Sequence, residues 1–582
     1  MIKLVLYKIK KYIAHISQFI RTPNKRQHIK KIRSLIREKG VVSGIQSYLD
    51  QIHMAEIVRR ESLLFQKDSG SVVILTTLHC IYIANLIKYH LSNIQIEADI
   101  ILRKPEEGYS YKLHYVICPQ IFDELPEFYI AFQLEQSVNS RWFTDKYFEI
   151  LNKAKIIFDY SLININFLLN KEIPFKKVYY LPIYYFPGYS AYLNLAAPVK
   201  EEYDVLFYGD PKHPRRQHFL DLISQYYSVK VVREVFWLEL YQELLKARII
   251  VNIHYYEAAL LETTRLYECL SLNKLIISEK SIDQEYHTEL DDIVEFVEID
   301  DVAGMVDKIG YWLKNEQLRH DKVAANMEKL TKLQNQFSFY FYRYLLSVDL
   351  ITFNEFWQYC GNQIIVDKNF YCLSLPESLD RRNDFIKDNK YGAQLYNGLR
   401  HNLGWVGCGL SFKSLIQRAK EQNLEYIIIC EDDVEFYGDF EDRLDQILAY
   451  LRSCKSWGIF SGLLADLHPD TEILDIEEYQ GVEYIFINKL ISMVFNIYHR
   501  SVFDIILSWN DSLHDAYTNT IDKFIESHDI KVVTSLPYLV GHKESLVSTI
   551  WGFQNTQYNE LITKSIIALQ QKVADYKLSH NK

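Results

Sequence analysis

The chain has 582 residues, 48% hydrophobic and 24% charged, with a formal net charge of −10 at pH 7. That length exceeds one ordinary core, and the composition excludes a disordered or collagen-like chain, so several compact units are expected. Eight scattered cysteines without CxxC or zinc-type spacing, and no run of about 20 apolar residues, predict a reduced, intracellular protein that does not span a membrane.

Charge is unevenly spread. Residues 1–40 hold twelve Lys/Arg against the single acid Glu38, so the rest of the chain is strongly acidic. In IKLVLYKIKKYIAHISQFI, Ile2, Val5, Ile9, Ile13, Ile16 and Ile20 share one helical face, with Lys3, Lys8, Lys10 and Lys11 on the other side. A basic helical leader over 1–68, with a second helical stretch at 41–66, suits an anionic membrane surface; a solvated helix covering the next domain fits the same pattern. Nucleic acid is not expected as a partner, because the body is acidic and no recognition motif accompanies the basic stretch. The 44 tyrosines suit sugar-stacking surfaces, or reflect a compositional bias toward Tyr, Ile, Lys and Asn.

From residue 69 strands and helices alternate. SVVILTT, IEADIIL, KLHYVIC, EFYIAFQLEQ, KAKIIFDYS and KKVYYLPIYYF read as short apolar strands, which predicts a parallel, doubly wound sheet over 69–195. Glu135, in FQLEQ at a strand's carboxyl end, is a candidate general base or the ion-pair partner of Arg141.

A second α/β set spans 196–345. EEYDVLFYGDPKHPRRQHFL reads as strand, glycine turn and helix, with Gly209 after the strand and Arg215 and Arg216 in or near the first helical turn. A helix N-terminus with nearby arginines favours an anion such as a diphosphate. VNIHYYEAALLETTRLYECLSLNKLIISE then places Glu262 and Glu268 on a helix ahead of a strand, while His254 either lines a cleft or is a satisfied core histidine. This stretch resembles the nucleotide-binding half of GT-B glycosyltransferases, where a helix with an E…EALACGKPVI pattern precedes a strand; Asn273 stands where that pattern has glycine. The resemblance implies that Glu268 holds the donor ribose hydroxyls and that Thr263, Thr264 and Arg265 sit near phosphate. It also implies that no metal is required here and that 69–195 is the acceptor half.

The third set, 346–582, begins with NFYCLSLPESLDRRNDF, a strand and a loop bearing Glu377, Asp380, Arg381 and Arg382. GWVGCGLSFKSLIQRAKEQNLEYIIICEDDV follows as glycine-rich turn, helix and apolar strand, ending on Glu431, Asp432 and Asp433. Three adjacent acids at a buried strand's end raise one another's pKa, and an oxygen-preferring divalent cation, Mg²⁺ or Mn²⁺, removes that penalty. The other reading is that they precede the helix expected near Phe440 and favour its dipole. Extended alternation would put Glu431 and Asp433 on one side and Asp432 on the other.

With NTIDKFI and PYLVGHKESLVSTI downstream, the order of motifs from about Phe370 to Ile550 resembles glycosyltransferase family 25, the group of lipooligosaccharide and procollagen galactosyltransferases. That resemblance implies a GT-A fold, a nucleotide-sugar donor (usually UDP-galactose) and transfer with inversion. Position by position, Glu431, Asp432 and Asp433 match the metal-binding acids, and Arg381 and Arg382 the basic pair beside the nucleotide. Asp522 matches an acceptor-side aspartate and is the candidate base, although NTIDKFI also reads as a helix N-cap. Ser548 falls in the closing element, and Phe412 stands where the family commonly has histidine.

The expected whole is an α/β chain: a GT-B-like double Rossmann module, then a GT-A-like module. It would add successive sugars to a glycan or lipid-linked oligosaccharide of lipopolysaccharide or capsule type. Its expected place is the cytoplasm, peripheral on the inner face of the cytoplasmic membrane. Asn273 and Phe412 also allow one module to be a non-catalytic glycan-binding scaffold. A nucleotidyltransferase reading of the acids has no P-loop to support it.

Overall fold

The computed structural model describes residues 72–580 apart from 111, 196–199, 334, 490–491 and 550–557. The basic leader expected over 1–68 lies outside the described residues.

Strands β1 (Val72–Leu75), β2 (Ala98–Ile101), β3 (His114–Ile117), β4 (Tyr129–Gln133), β5 (Ile156–Asp159) and β6 (Val178–Tyr180) form one parallel sheet, ordered β2-β1-β3-β4-β5-β6. β1, β3, β4 and β5 are buried at every position. Helices cover both faces, which is why these strands read as nearly continuous apolar runs and not as alternation. The strand order reverses between β1 and β3, the point in such sheets at which ligands gather beyond the strands' carboxyl ends.

A second parallel sheet holds β7 (Tyr203–Tyr208), β8 (Val229–Val232), β9 (Ala247–Asn252), β10 (Leu275–Glu279) and β11 (Glu295–Val297), ordered β11-β10-β9-β7-β8. Its reversal lies between β7 and β9. Val205, Phe207, Ile249, Val251 and Ile277 pack there with Phe219, Ile223, Met305 and Ile309 from flanking helices.

The third module supplies β12 (Phe370–Ser374), β13 (Gln394–Asn397), β14 (Tyr426–Glu431), β15 (Val434–Phe436), β16 (Ile459–Ser461), β17 (Ile473–Tyr479), β18 (Val482–Ile487), β19 (Phe495–His499), β20 (Val532–Ser535) and β21 (Val540–His542). Eight of these make a mixed sheet, β13-β12-β14-β19-β16-β20-β18-β17, while β15 and β21 pair separately and antiparallel. The chain is therefore α/β as expected, with two doubly wound parallel sheets ahead of a mixed one.

Nine helices matter below: α1 (Ile81–Asn93), α2 (Pro214–Ser224), α3 (Thr263–Ser271), α4 (Gln336–Ser347), α5 (Leu379–Asp388), α6 (Gly404–Glu421), α7 (Phe440–Ser453), α8 (Ile521–Glu526) and α9 (Tyr558–His580). α4 follows the second sheet in the chain yet packs on the first, where the Tyr344 ring lies 4.8 Å from Phe158. Its sequence QFSFYFYRYLLS is apolar or aromatic nearly all round, and a helix of that kind has to be buried.

The polar exception on α4 is Arg343, which joins the first module to the third. It donates to the two Glu377 carboxylate oxygens at 2.7 and 3.0 Å and to the Gly398 carbonyl at 2.7 Å. The Tyr180 N–H at the end of β6 donates to the same carboxylate at 3.0 Å. Arg400 lies 3.4 Å from Glu377, donates to the Val178 and Phe175 carbonyls and stacks over Tyr179. Burial alone would raise the Glu377 pKa, but Arg343 and Arg400 hold it down to about 2.

Candidate functional site

β14 ends at Glu431, and Asp432 and Asp433 form a turn into β15, so the extended alternation expected across the three acids is not followed. The turn lets one guanidinium serve two carboxylates. Arg381, on α5, donates from Nε to Asp432 at 2.9 Å and from Nη2 to Asp433 at 2.9 Å. Ser374, closing β12 beside β14, donates to Asp432 at 2.9 Å. The β15–β21 pairing sets Val434 opposite His542, and this register brings His542 Nε2 within 3.4 Å of Asp433.

Charge is thus distributed unequally over the triplet. Burial would raise Asp433, but the hydrogen bond from His542 and the Arg381 charge hold it down to about 2. Burial, then repulsion from Asp433, pushes Glu431 up to about 8, and Asp522 adds to that repulsion. Glu431 also accepts a long hydrogen bond from the Cys408 thiol at 3.8 Å. Asp433 Oδ1 is buried with no hydrogen-bond partner among the described residues.

By donor chemistry these oxygens suit a hard divalent cation: Asp433 has an unpartnered oxygen, and burial with the like charges of Asp433 and Asp522 disfavours charge on Glu431, a cost a cation would offset. Glu431, Asp433 and Asp522 do not, as a set, bring their ligand atoms within 4.8 Å of one another. Asp432 is committed elsewhere, to Ser374 and Arg381. The helix-capping alternative does not hold, because α7 begins at Phe440 with Asp439 at its cap and β15 intervenes. Asp522 is likewise not a cap: Thr520 occupies that position. Arg382 donates to Asn397 at the end of β13, at 2.9 Å. Arg381 also donates to the carbonyl of Val547, the residue before Ser548. Phe412 is buried in the core against Tyr498, where its ring continues the apolar packing between α6 and β19.

In the second sheet a basic cluster lies at the β7/β9 reversal. Gly209 has φ +130°, and a Cβ there would stand 3.3 Å from Arg265 Nη2 and 3.5 Å from Arg216 Nη1, so only glycine suits the turn. Pro214 opens α2, leaving Arg215 and Arg216 in its first turn as expected. Arg215 pairs with Glu279 and with Asp300, the latter at 2.7 Å. Arg216 donates to the Ile253 carbonyl at 2.9 Å and to Glu262 at 3.2 Å. Arg265 donates to Asn252 at 2.9 Å and pairs with Glu262 at 2.7 Å.

Glu262 stands just before α3, at its N-cap position but without a side-chain capping bond, and Thr263 begins the helix. Thr263 Oγ1 is buried without a hydrogen-bond partner among the described residues, and Thr264 beside it is half-buried. The first turns of α2 and α3 thus bring three guanidiniums to this reversal, each already paired: Arg215 with Glu279 and Asp300, Arg216 and Arg265 with Glu262. Glu268 is buried, which pushes its carboxyl up to about 7, and it accepts from the hydroxyls of Tyr208 at 3.0 Å and Tyr241 at 2.8 Å. His254 is a core residue. Its N–H donates to Glu279 at 3.0 Å, and its Nε2 lies 3.2 Å from the Lys280 carbonyl.

Glu135 meets Gln120, which donates to it at 2.7 Å; Arg141 acts on it only through its field. The next residue, Gln136, accepts the Leu260 N–H at 3.0 Å, so the segment carrying Glu135 abuts the loop leading to α3. His79, from the first module, feels the charges of both Glu135 and Glu268. The Gln136–Leu260 bond and the charges felt by His79 bring the carboxyl ends of the first sheet near α3 of the second.

Ser374, His542, Asn252, Glu279, Tyr208 and Tyr241 were not foreseen. His542 lies in the quoted PYLVGHKESLVSTI, but its role depends on a strand pairing across more than a hundred residues.

Residues 369–459 match the sequence model described as Glycosyltransferase family 25 (LPS biosynthesis protein), so a glycosyltransferase segment is present, covering under a fifth of the chain. It contains Ser374, Glu377, Arg381, Arg382 and the three acids of β14 and its turn. A comparison with curated proteins returns no match. Among solved structures, sucrose-phosphate synthase from Thermosynechococcus elongatus is similar at TM-score 0.32 and 12% identity, covering 46% of this chain and 95% of that one. An α-glucosyltransferase in complex with UDP and a 13-mer DNA gives TM-score 0.35 and 11% identity over 48% and 100% of the two chains. An α1,3-fucosyltransferase with GDP-fucose gives 0.28 and 11% over 51% and 91%.

Proposed function

We propose that the protein transfers sugars from nucleotide-sugar donors at two centres, extending a surface glycan of lipopolysaccharide or capsule type at the inner face of the cytoplasmic membrane. The observation that carries this reading is the Arg381 clamp on the acids ending β14, inside the segment that matches family 25. In the third module the donor is UDP-linked, galactose by resemblance. Glu431 and Asp433 would hold Mn²⁺ or Mg²⁺, leaving Asp522 free for proton transfer. Once bound, that ion supplies Lewis-acid stabilisation of the departing diphosphate.

The side chains do the rest. Arg382, together with Arg381 once a cation takes its place beside Asp433, would give charge-assisted hydrogen bonds to diphosphate oxygens. Asp522 takes the acceptor hydroxyl proton while the acceptor oxygen bonds to the anomeric carbon from the face opposite the diphosphate. The bond from that carbon to the diphosphate oxygen breaks, and its electron pair leaves with the nucleoside diphosphate. One displacement gives inversion. A base so placed is typically worth about 10²–10⁴-fold.

In the tandem parallel module, 69–195 is the acceptor half and 196–345 the donor half. Gly209 lets the backbone approach, and the first turns of α2 and α3 with Arg215, Arg216, Arg265, Thr263 and Thr264 take the diphosphate without a metal. Glu268 faces the donor ribose and Glu135 is the base. The leader, 1–68, keeps the chain near lipid-linked acceptors, and fusing both centres raises the effective concentration of the intermediate. A second reading has its own support: Glu268 is already engaged by Tyr208 and Tyr241, which favours a tandem module that binds glycan without transferring sugar.

The test is hydrolysis of a nucleotide-sugar panel by the full chain, with and without Mn²⁺. Asp433→Ala silences the third module and Arg265→Ala the tandem one. Metal-dependent turnover lost in the first variant and metal-independent turnover lost in the second supports two centres; no turnover of any donor sinks the proposal.

A further inference from the structure

The β1/β3 reversal holds side chains to which the transfer chemistry gives no role. Cys80 closes the turn Leu78–Cys80 after β1, and Cys118 directly follows β3, so the two enter from either side of the point where ligands gather in such sheets. They are 4% and 3% exposed, with their sulfurs 3.5 Å apart. A ring nitrogen of His79 and both sulfurs all lie within 4.8 Å of one another.

Two details bear on ligation. Thr77 Oγ1 lies 2.7 Å from His79 Nδ1 and 3.4 Å from Nε2, a contact with the ring that helps to hold the imidazole beside the two sulfurs. Cys118 has φ 54° and ψ 61°, a left-handed conformation uncommon outside glycine and tolerated where a side chain has to be held in place.

We propose that His79, Cys80 and Cys118 form a binding site for a thiophilic divalent cation of the zinc class. Two thiolates and an imidazole select such an ion over the Mg²⁺ or Mn²⁺ that suits carboxylates, so this site is chemically separate from the acids of β14. In a tetrahedral site with Zn–S bonds of about 2.3 Å, two sulfurs stand about 3.8 Å apart. The observed thiols need move only slightly. With three protein donors, the fourth position falls to water or to an oxygen of a ligand at this reversal.

The cysteines are 38 residues apart, so no short spacing motif marks the site. A second cluster, Asp349, His401 and His514, does not qualify. His401 Nδ1 accepts the Leu403 N–H at 3.0 Å, which leaves the proton on Nε2, donated to Asp349, and no lone pair for a metal.

The test uses reduced, full-length protein stripped by chelator and titrated with Co²⁺ as the probe. The expected result is a sulfur-to-cobalt charge-transfer band saturating at one equivalent and displaced by Zn²⁺. Cys118→Ser and Cys80→Ser should abolish that band, and His79→Ala should weaken binding at least about tenfold. Cys360→Ser, which alters a buried thiol elsewhere, should bind as the parent does. Co²⁺ among the acids of β14 has only the Cys408 thiol as a nearby sulfur, so Asp433→Ala and Cys408→Ser proteins should both titrate normally whether or not the chain transfers sugars. Absence of the band in the parent protein overturns the proposal even if a variant fails to fold. So does its survival in the Cys80→Ser/Cys118→Ser protein, or a Cys80–Cys118 disulfide that forms in air despite saturating Zn²⁺.

Discussion

Arg381 and Asp433 are joined by a 2.9 Å hydrogen bond from Nη2, while the same guanidinium holds Asp432 through Nε. The clamp makes Arg381 the main counter-charge of the triplet. Arg381→Ala leaves two buried carboxylates facing each other and is expected to cost about 3–5 kcal/mol of stability. Mn²⁺ should restore more of the melting temperature in this variant than in the parent protein. Thermal melts with and without the ion check this, and an equal response in the two proteins contradicts a cation among the acids.

Asp433 and Asp432 should behave differently. Asp433→Ala is expected to abolish Mn²⁺-dependent transfer or donor hydrolysis while leaving the circular dichroism unchanged. Asp432→Asn, which keeps an acceptor for Ser374, should lose stability before it loses metal dependence. Full activity in Asp433→Ala removes the metal assignment.

At the β7/β9 reversal, Arg265→Ala removes the half-buried guanidinium that the proposed function sets against the donor diphosphate. Charged hydrogen bonds are worth about 1.5–3 kcal/mol, so UDP affinity there should fall about 10–100-fold. Calorimetric titration in an Asp433→Ala background isolates this centre. Undiminished affinity would place the donor elsewhere.

The junction carboxylate Glu377 gives a pH signature. Its folded pKa is depressed, from 4.5 to about 2, so its stabilising effect is complete above 4.5 and is lost as pH falls through that window. A shift of this size corresponds to about 3 kcal/mol. Urea midpoints measured from pH 5 to pH 2 should fall less steeply in Glu377→Gln than in the parent chain. That variant should also be less stable at pH 7, since Arg343 and Arg400 lose their counter-charge. Identical slopes would show that the triad does not carry the acid response.

The strands were legible because burial on both faces writes itself as unbroken apolar runs: VVIL, YIAFQ and YIIIC each lie in sheets as expected. Arg215 and Arg216 were legible too, since Pro214 marks a helix start. The alternation expected for Glu431–Asp433 failed because a turn, not a continuing strand, follows Glu431. Long-range register also left no local trace. Nothing near Asp433 announces His542, and nothing near Glu377 announces Arg343 or Tyr180. Cys80 and Cys118 were read as scattered singles because sheet order, not spacing, brings them together.

If the protein transfers sugars at two centres as proposed, the Arg343–Glu377–Arg400 joint has a consequence for what they would build in succession. It fastens β6 to the loop ahead of α5, so the gap between those centres would act as a ruler. A short glycan that has left one centre has to diffuse to the other, whereas one long enough to bridge the gap can stay anchored at its far end. The lengths of the finished chains would then record the stiffness of three buried side chains.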